Sequence, residues 1–184
     1  MSQKSSPLHP YPGTSSRIES LSVQATWLSD GTLRLSYRLV EAQARLVLQA
    51  PRQAAFTDGL WQHTCLEAFA ARPNEAAYRE FNFSPSGEWA VYAFKSYRDR
   101  DPLFVPAATP DLHVSHSDGA LSIDVLIPSV LLPRPSSKGQ ELGLSAVIED
   151  ETGLSYWALA HPADRPDFHH RSGFCLSVFP DTTP

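Results

Sequence analysis

Two glutamates, Glu67 and Glu80, sit in neighbouring strand-like runs of the stretch Leu60 to Arg98. Alternate side chains of an extended segment share a face. Glu67 therefore sides with Cys65 and Phe69, and Glu80 with Tyr78 and Asn82. If runs 64–70 and 77–84 pair, both carboxyls join one polar face. Two carboxyls flanking a glycosidic bond can act as acid and as base or nucleophile, provided their separation suits. Paired glutamates on the open side of a sheet are more often solvated or salt-bridged, here with Arg79 and Arg98 as partners. Sequence spacing does not fix the separation.

Two further sets carry chemistry. Trp61, Trp89, Tyr92, Tyr97, Tyr156 and Trp157 could supply an aromatic floor. Such rings stack on the apolar faces of sugars while nearby Asn, Glu and Arg bond the hydroxyls. Trp and Tyr are also strand formers, so core packing is the competing role. Trp61, between a loop and a strand and beside Gln62 and His63, is the one expected to be exposed. The third set is the loop from Ala160 to His170, rich in His and Asp, with His63 as a distant metal ligand. Adjacent His169 and His170 point opposite ways in an extended segment, which makes joint ligation awkward. The expectation is a rigid Pro-containing loop whose His and Asp side chains fix its backbone. No metal or cofactor is assigned.

The elements that must hold these residues read as strands. Alternation of apolar and polar residues marks Ile18 to Leu28 and Leu33 to Val40, separated by Asp30-Gly31. A short run, Arg45 to Gln49, follows. Strands 64–70, 77–84 and 88–95 are joined by turns at Arg72-Pro73-Asn74-Glu75 and Ser84-Pro85-Ser86-Gly87. Residues 96–109 read as a long connection. Leu112 to Ser117 and Ala120 to Ile127 flank a second Asp-Gly turn at 118–119. A helical turn at 128–132 and a loop at 133–140 come next. Runs 142–149, 154–160 and 174–179 complete the set. Short strands, Gly and Pro turns and little helical periodicity indicate an all-β antiparallel sandwich of the immunoglobulin-like or jelly-roll type. The Ser- and Pro-rich residues 1–16 read as a flexible lead-in, and 17–184 as a single domain.

The chain of 184 residues carries a net charge of −5, which argues against a phosphate backbone as the main partner. It has no apolar signal-like start and no run long enough to span a membrane, so a cytoplasmic bacterial protein is expected. Cys65 and Cys175 both fall in apolar runs and read as buried thiols, with a disulfide left open. Neither a phosphate-cradling Gly-rich loop nor HExxH nor GxSxG occurs.

The stretch from Trp61 to Trp89 resembles the DOMON-like superfamily, in particular its branch similar to family 9 carbohydrate-binding modules. The pattern is Trp61, Glu67 and Phe69, then Tyr78, Glu80, Phe81, Ser84, Pro85 and Gly87. Stretches 158–162 and 166–170 resemble uncharacterised bacterial members of that group. The resemblance covers most of the chain beyond residue 17. It implies a β-sandwich that binds a sugar or, in other branches, haem, and it implies no catalysis. Haem-binding DOMON domains use Met and His axial ligands, whereas Met1 is the one methionine here. The expectation is thus a non-enzymatic domain for a carbohydrate-like small molecule. Trp61, His63, Tyr78, Glu80, Asn82, Arg98 and Trp157 are its contact residues. The alternatives are a sandwich serving structural or protein contacts, a haem domain with two His ligands, and a metal-dependent enzyme on the 161–170 loop.

Overall fold

A computed structural model describes residues 4–14, 17–41, 45–117, 119–134 and 139–179. Its strands are β1 (Lys4–Pro10), β2 (Ile18–Trp27), β3 (Leu33–Glu41), β4 (Cys65–Ala71), β5 (Tyr78–Phe83) and β6 (Trp89–Ser96). They continue with β7 (Asp99–Arg100), β8 (Asp111–Ser117), β9 (Ala120–Ile127), β10 (Gln140–Asp150), β11 (Gly153–Ala158) and β12 (Leu176–Val178). Every ladder between these strands is antiparallel, in the order β7-β6-β5-β4-β10-β11-β1-β2-β3-β9-β8, with β12 on β10. The sheet folds over on itself at β1: residues 4–8 pair with β2, while His9 and Pro10 pair with β11. The two layers thus formed make an all-β sandwich.

Residues 4–10 are therefore a strand and not part of a flexible lead-in. Ser and Pro obscure the pattern, but Leu8 is buried and the backbone bonds two partners. Residues 1–3 and 15–16 of that expected segment lie outside the described residues, as do Asp118 of the second Asp-Gly turn and 135–138 of the expected loop. Arg45 to Gln49 forms only a single bridge, Leu46 to Asp150, in place of the expected strand. No helix among the described residues is long and apolar enough to cross a membrane.

Period-2 alternation places the main core between the layers. Leu21, Val23, Leu35, Tyr37, Leu39, Ile123 and Val125 from one layer meet Leu66, Phe81, Phe83, Val91, Leu144 and Ile148 from the other. Tyr37 crosses the core and donates its hydroxyl to the Glu67 carbonyl at 2.9 Å. The β4 strand departs from simple amphipathicity, since all seven of its residues are buried. Its outward side belongs to a second, smaller apolar cluster built from Leu60, Cys65, Phe69, Tyr78, Tyr92, Phe94 and Phe174.

Two coil segments cover that outer face. Residues 55–57 run beside β6, with Thr57 N–H donating to the Trp89 carbonyl at 2.9 Å and Trp89 N–H to Ala55 at 3.0 Å. The segment 160–174 descends on the other side and seats Phe174 over Gly143. A Cβ on Gly143 would stand 2.7 Å from the Phe174 ring, so the close approach requires a residue without a side chain. Cys175 is exposed, contrary to the expected burial, and both thiols are free.

Candidate functional site: a carboxyl-floored cavity on the outer sheet face

The β4–β5 register puts Glu67 opposite Asn82 and Phe69 opposite Glu80. The two glutamates are thus diagonal neighbours on one face, as their parity requires. This face is buried rather than solvated: Glu67 is 3% exposed, Glu80 6% and Asn82 0%. Arg79 is no partner for either. It faces away from Glu80 and stacks over Phe104 at 4.1 Å.

Above the glutamates opens a cavity of about 640 Å³. Glu67, Glu80 and Val147 line it from the sheet, Tyr92 and Phe94 from β6, and Leu154 and Tyr156 from β11. Asp58, Trp61 and Gln62 reach it from residues 58–62, which continue the first covering segment into a short 3-10 turn, and Phe168 and His169 from the second. Arg98 and Arg100 complete the rim. Five aromatic side chains, Trp61, Tyr92, Phe94, Tyr156 and Phe168, share the wall with carboxyl, amide and guanidinium groups, a mixture that suits a polar small molecule.

The polar groups are locked from behind. Asn82 donates Nδ2–H to Glu80 Oε1 at 2.8 Å. Arg98 N–H donates to the Tyr78 hydroxyl at 3.1 Å, and that oxygen lies 2.8 Å from His169 Nδ1. The arrangement that uses every proton has Tyr78 donating to Nδ1, which leaves Nε2–H facing Glu80 Oε2 at 3.6 Å. His169 sits edge-on against Phe69, Tyr78 and Phe94. Burial among these rings, with Arg98 beside it, lowers its pKa to about 4, so it is neutral near pH 7.

Both glutamates hold their protons more tightly than usual. Burial raises Glu80 to about 7, partly offset by the Asn82 hydrogen bond and by Arg100 and Arg98. Glu67 is pushed well above the carboxylate range by burial and then by Glu80, with Ser145 across the β4–β10 ladder acting the other way. At the rim the carboxylates stay ionised. Tyr92 donates its hydroxyl to Asp58, which lowers the Asp58 pKa. Burial alone would raise Asp167, but hydrogen bonds from Tyr97 at 2.7 Å and Arg98 at 2.8 Å hold it low.

A tight hairpin aims the arginines. Ser96 pairs with Asp99 around Tyr97-Arg98, and Arg98 adopts φ 56°, a left-handed conformation rare for a residue with a Cβ. The Tyr78 and Asp167 bonds hold it there. Residues 96–109, expected as a plain connection, thus contain the turn and strand β7 that position Arg98 and Arg100.

Of the seven residues expected as contacts, Trp61, Glu80 and Arg98 line the cavity. Tyr78 and Asn82 stand behind it as supports for His169 and Glu80. Two lie elsewhere. His63 pairs with Glu149 at 2.7 Å outside the cavity. Trp157 is 4% exposed in the inter-layer core, so its ring cannot stack on a ligand there. Its neighbour Tyr156, of opposite parity, faces the cavity. Asp58, Arg100, Phe168 and His169 are additional lining residues. Only the turn pair Asp58-Gly59 and the loop histidines offered any sequence signal for them.

The histidines of the 160–170 loop disperse: His161 Nε2 meets the His9 carbonyl at 2.8 Å, His169 turns inward, and His170 Nδ1 accepts from Ser172 N–H. Among the described residues no three His, Cys, Asp or Glu side chains group to hold a metal ion.

No family model matches the chain, and no curated protein matches it in sequence. Among solved structures, the chain is similar to a "putative carbohydrate-binding protein" from Bacteroides uniformis ATCC 8492, with a TM-score of 0.69 over 94% of this chain and 84% of that one. At 15% identity this likeness shows the fold.

Proposed function

We propose that this domain binds a carbohydrate-like small molecule in the cavity over β4, β5 and β6, and that its role is binding rather than catalysis. The observation that carries the reading is the cavity itself: aromatic side chains, with Trp61 half-exposed at its mouth, beside carboxyl groups and arginines held in place by Asn82 and Asp167. Rings of this kind cover the apolar face of a pyranose, and the fixed polar groups meet its hydroxyls. The carbohydrate-binding description of the B. uniformis neighbour supports the same ligand class. Membership of the DOMON-like superfamily, near the family 9 modules, is part of the proposal and rests on the motif from Trp61 to Gly87.

The test is a thermal-shift screen against mono- and disaccharides, amino sugars and haem, repeated on Trp61→Ala and Glu80→Ala. A ligand that binds the native state raises the melting temperature as its concentration exceeds Kd. Sugar hits lost in both variants are expected; a haem hit without a sugar hit would redirect the assignment.

A second reading, a domain for protein contacts, has one observation in its favour. Leu103 and Val105 stand 86% and 79% exposed on the segment after β7. It predicts no sugar hits, together with an association in solution that Leu103→Asp abolishes.

A further inference from the structure

We infer that the ligand carries a protonated amine received by Glu67 and Glu80, so that the cavity selects amino sugars over neutral ones. This rests on the carbohydrate reading above and narrows its ligand class.

Charge balance at the floor of the cavity sets the ligand's charge. Diagonal neighbours on an antiparallel pair are about 7–8 Å apart at their backbones. Two glutamate side chains on that diagonal can converge on one small cation between them. The groups that face them are known from every packed element. Strand β4 contributes Cys65; β5 contributes Tyr78 and Asn82; β6 contributes Tyr92; β10 contributes Ser145. Tyr37 approaches Glu67 from the core, and the covering segments bring Asp58 and His169.

The cations nearby are already engaged. Arg98 is bonded to Asp167, and Arg100 lies over the Tyr92 ring at 4.1 Å and 3.7 Å from Asp58. Both are about half exposed at the mouth. His169 is neutral and stands 3.6 Å from Glu80. Among the described residues no Lys or Arg forms an ion pair with Glu67 or Glu80. Arg98 and Arg100 ease the charge on Glu80 only from a distance, and two buried carboxyls with no cation in contact can ionise together only at high cost.

A neutral sugar leaves that cost in place. An ammonium group removes it, because it offers three donors to the two carboxylates and is also attracted by the rings of the same cavity. The raised proton affinity of both carboxyls, caused by their burial, is the unliganded form of the same balance: the amine takes the place of the protons. Binding should therefore release protons near neutral pH, from a carboxylic acid to buffer, with no other bond made or broken.

The experiment is isothermal titration calorimetry of the whole chain at pH 7. Probes are glucosamine, galactosamine and mannosamine, each against its neutral hexose and its N-acetyl derivative, with cyclohexylamine as a ring amine lacking hydroxyls. The expected result is at least 10-fold tighter binding of one hexosamine than of both its neutral counterparts. Proton release should show as a dependence of heat on buffer. The preference should fall below twofold in Glu67→Gln or Glu80→Gln, whose folding is checked by melting temperature. Hexose or N-acetyl binding equal to that of the amine overturns this inference and leaves the carbohydrate reading standing. Binding of cyclohexylamine alone supports the amine site and overturns the carbohydrate reading. Absence of binding by every probe overturns both.

Discussion

Replacing Glu80 by Gln should make the protein more stable at pH 8 and change little at pH 4. Glu80 is raised from 4.5 to about 7 in the folded state, with burial as the main cause. Below 4.5 both folded and unfolded chains hold the proton. As pH rises, the unfolded chain loses it first, so the folded state is progressively disfavoured until its own pKa is passed. At about 1.4 kcal/mol per pKa unit, the wild type forfeits on the order of 3 kcal/mol across that window. The amide of the Glu80→Gln variant does not titrate, and its carbonyl can still accept from Asn82. His169 works in the opposite sense: lowered from 6.5 to about 4, its contribution is present above pH 6.5 and lost as pH falls through about 4. It is common to both proteins and cancels to first order in their difference. Urea unfolding of both proteins from pH 4 to 8 should therefore give a stability difference that grows from near zero to about 3 kcal/mol, or roughly 6–12 °C in melting temperature at pH 8. A difference that stays flat, or a variant that weakens the fold as pH rises, would mean that Glu80 is ionised and paired.

Three further substitutions separate the roles of neighbouring residues. Trp157→Ala should cost about 3–5 kcal/mol by chemical denaturation, since the ring fills the inter-layer core. Trp61→Ala, on an exposed ring, should change stability by no more than roughly 0.5 kcal/mol while removing the sugar-dependent rise in melting temperature. Gly143→Ala drives a methyl group into Phe174 and should destabilise by about 1–3 kcal/mol. It should also weaken ligand binding through displacement of the segment that carries His169, measured by calorimetry.

Much of this fold can be read locally. The alternation in 18–28 and 33–40 and the Asp30-Gly31 turn require no tertiary information, and the observed β2–β3 hairpin differs from that reading by a residue or so at its ends. The same parity places Glu67, Glu80, Tyr78 and Asn82 on one face. What parity cannot show is what lies over that face. Two segments without regular periodicity, 55–63 and 160–174, help turn a polar surface into a buried one, and that burial is the largest cause of the raised carboxyl pKa values. Trp157 shows the complementary limit. Tyr156 and Trp157 are adjacent aromatics of opposite parity, and both faces of β11 meet protein. Which one faces the cavity depends on the register of β11 against β10, a long-range property. Strand β1 was hidden for a different reason: Ser and Pro lower strand propensity, and its pairing with both layers depends on two distant strands.

Whether the cavity beside Trp61 binds a carbohydrate-like molecule can be read from the indole N–H signals of the four tryptophans in a nitrogen-15 NMR titration with each sugar of the panel. Trp27, Trp89 and Trp157 are buried in the inter-layer core, whereas Trp61 is 52% exposed and lines the cavity. Sugar bound in the cavity should give a saturable shift of the Trp61 indole, with much smaller changes at the other three. A sugar that binds and leaves the Trp61 signal in place, or a panel in which none moves it, would contradict binding there.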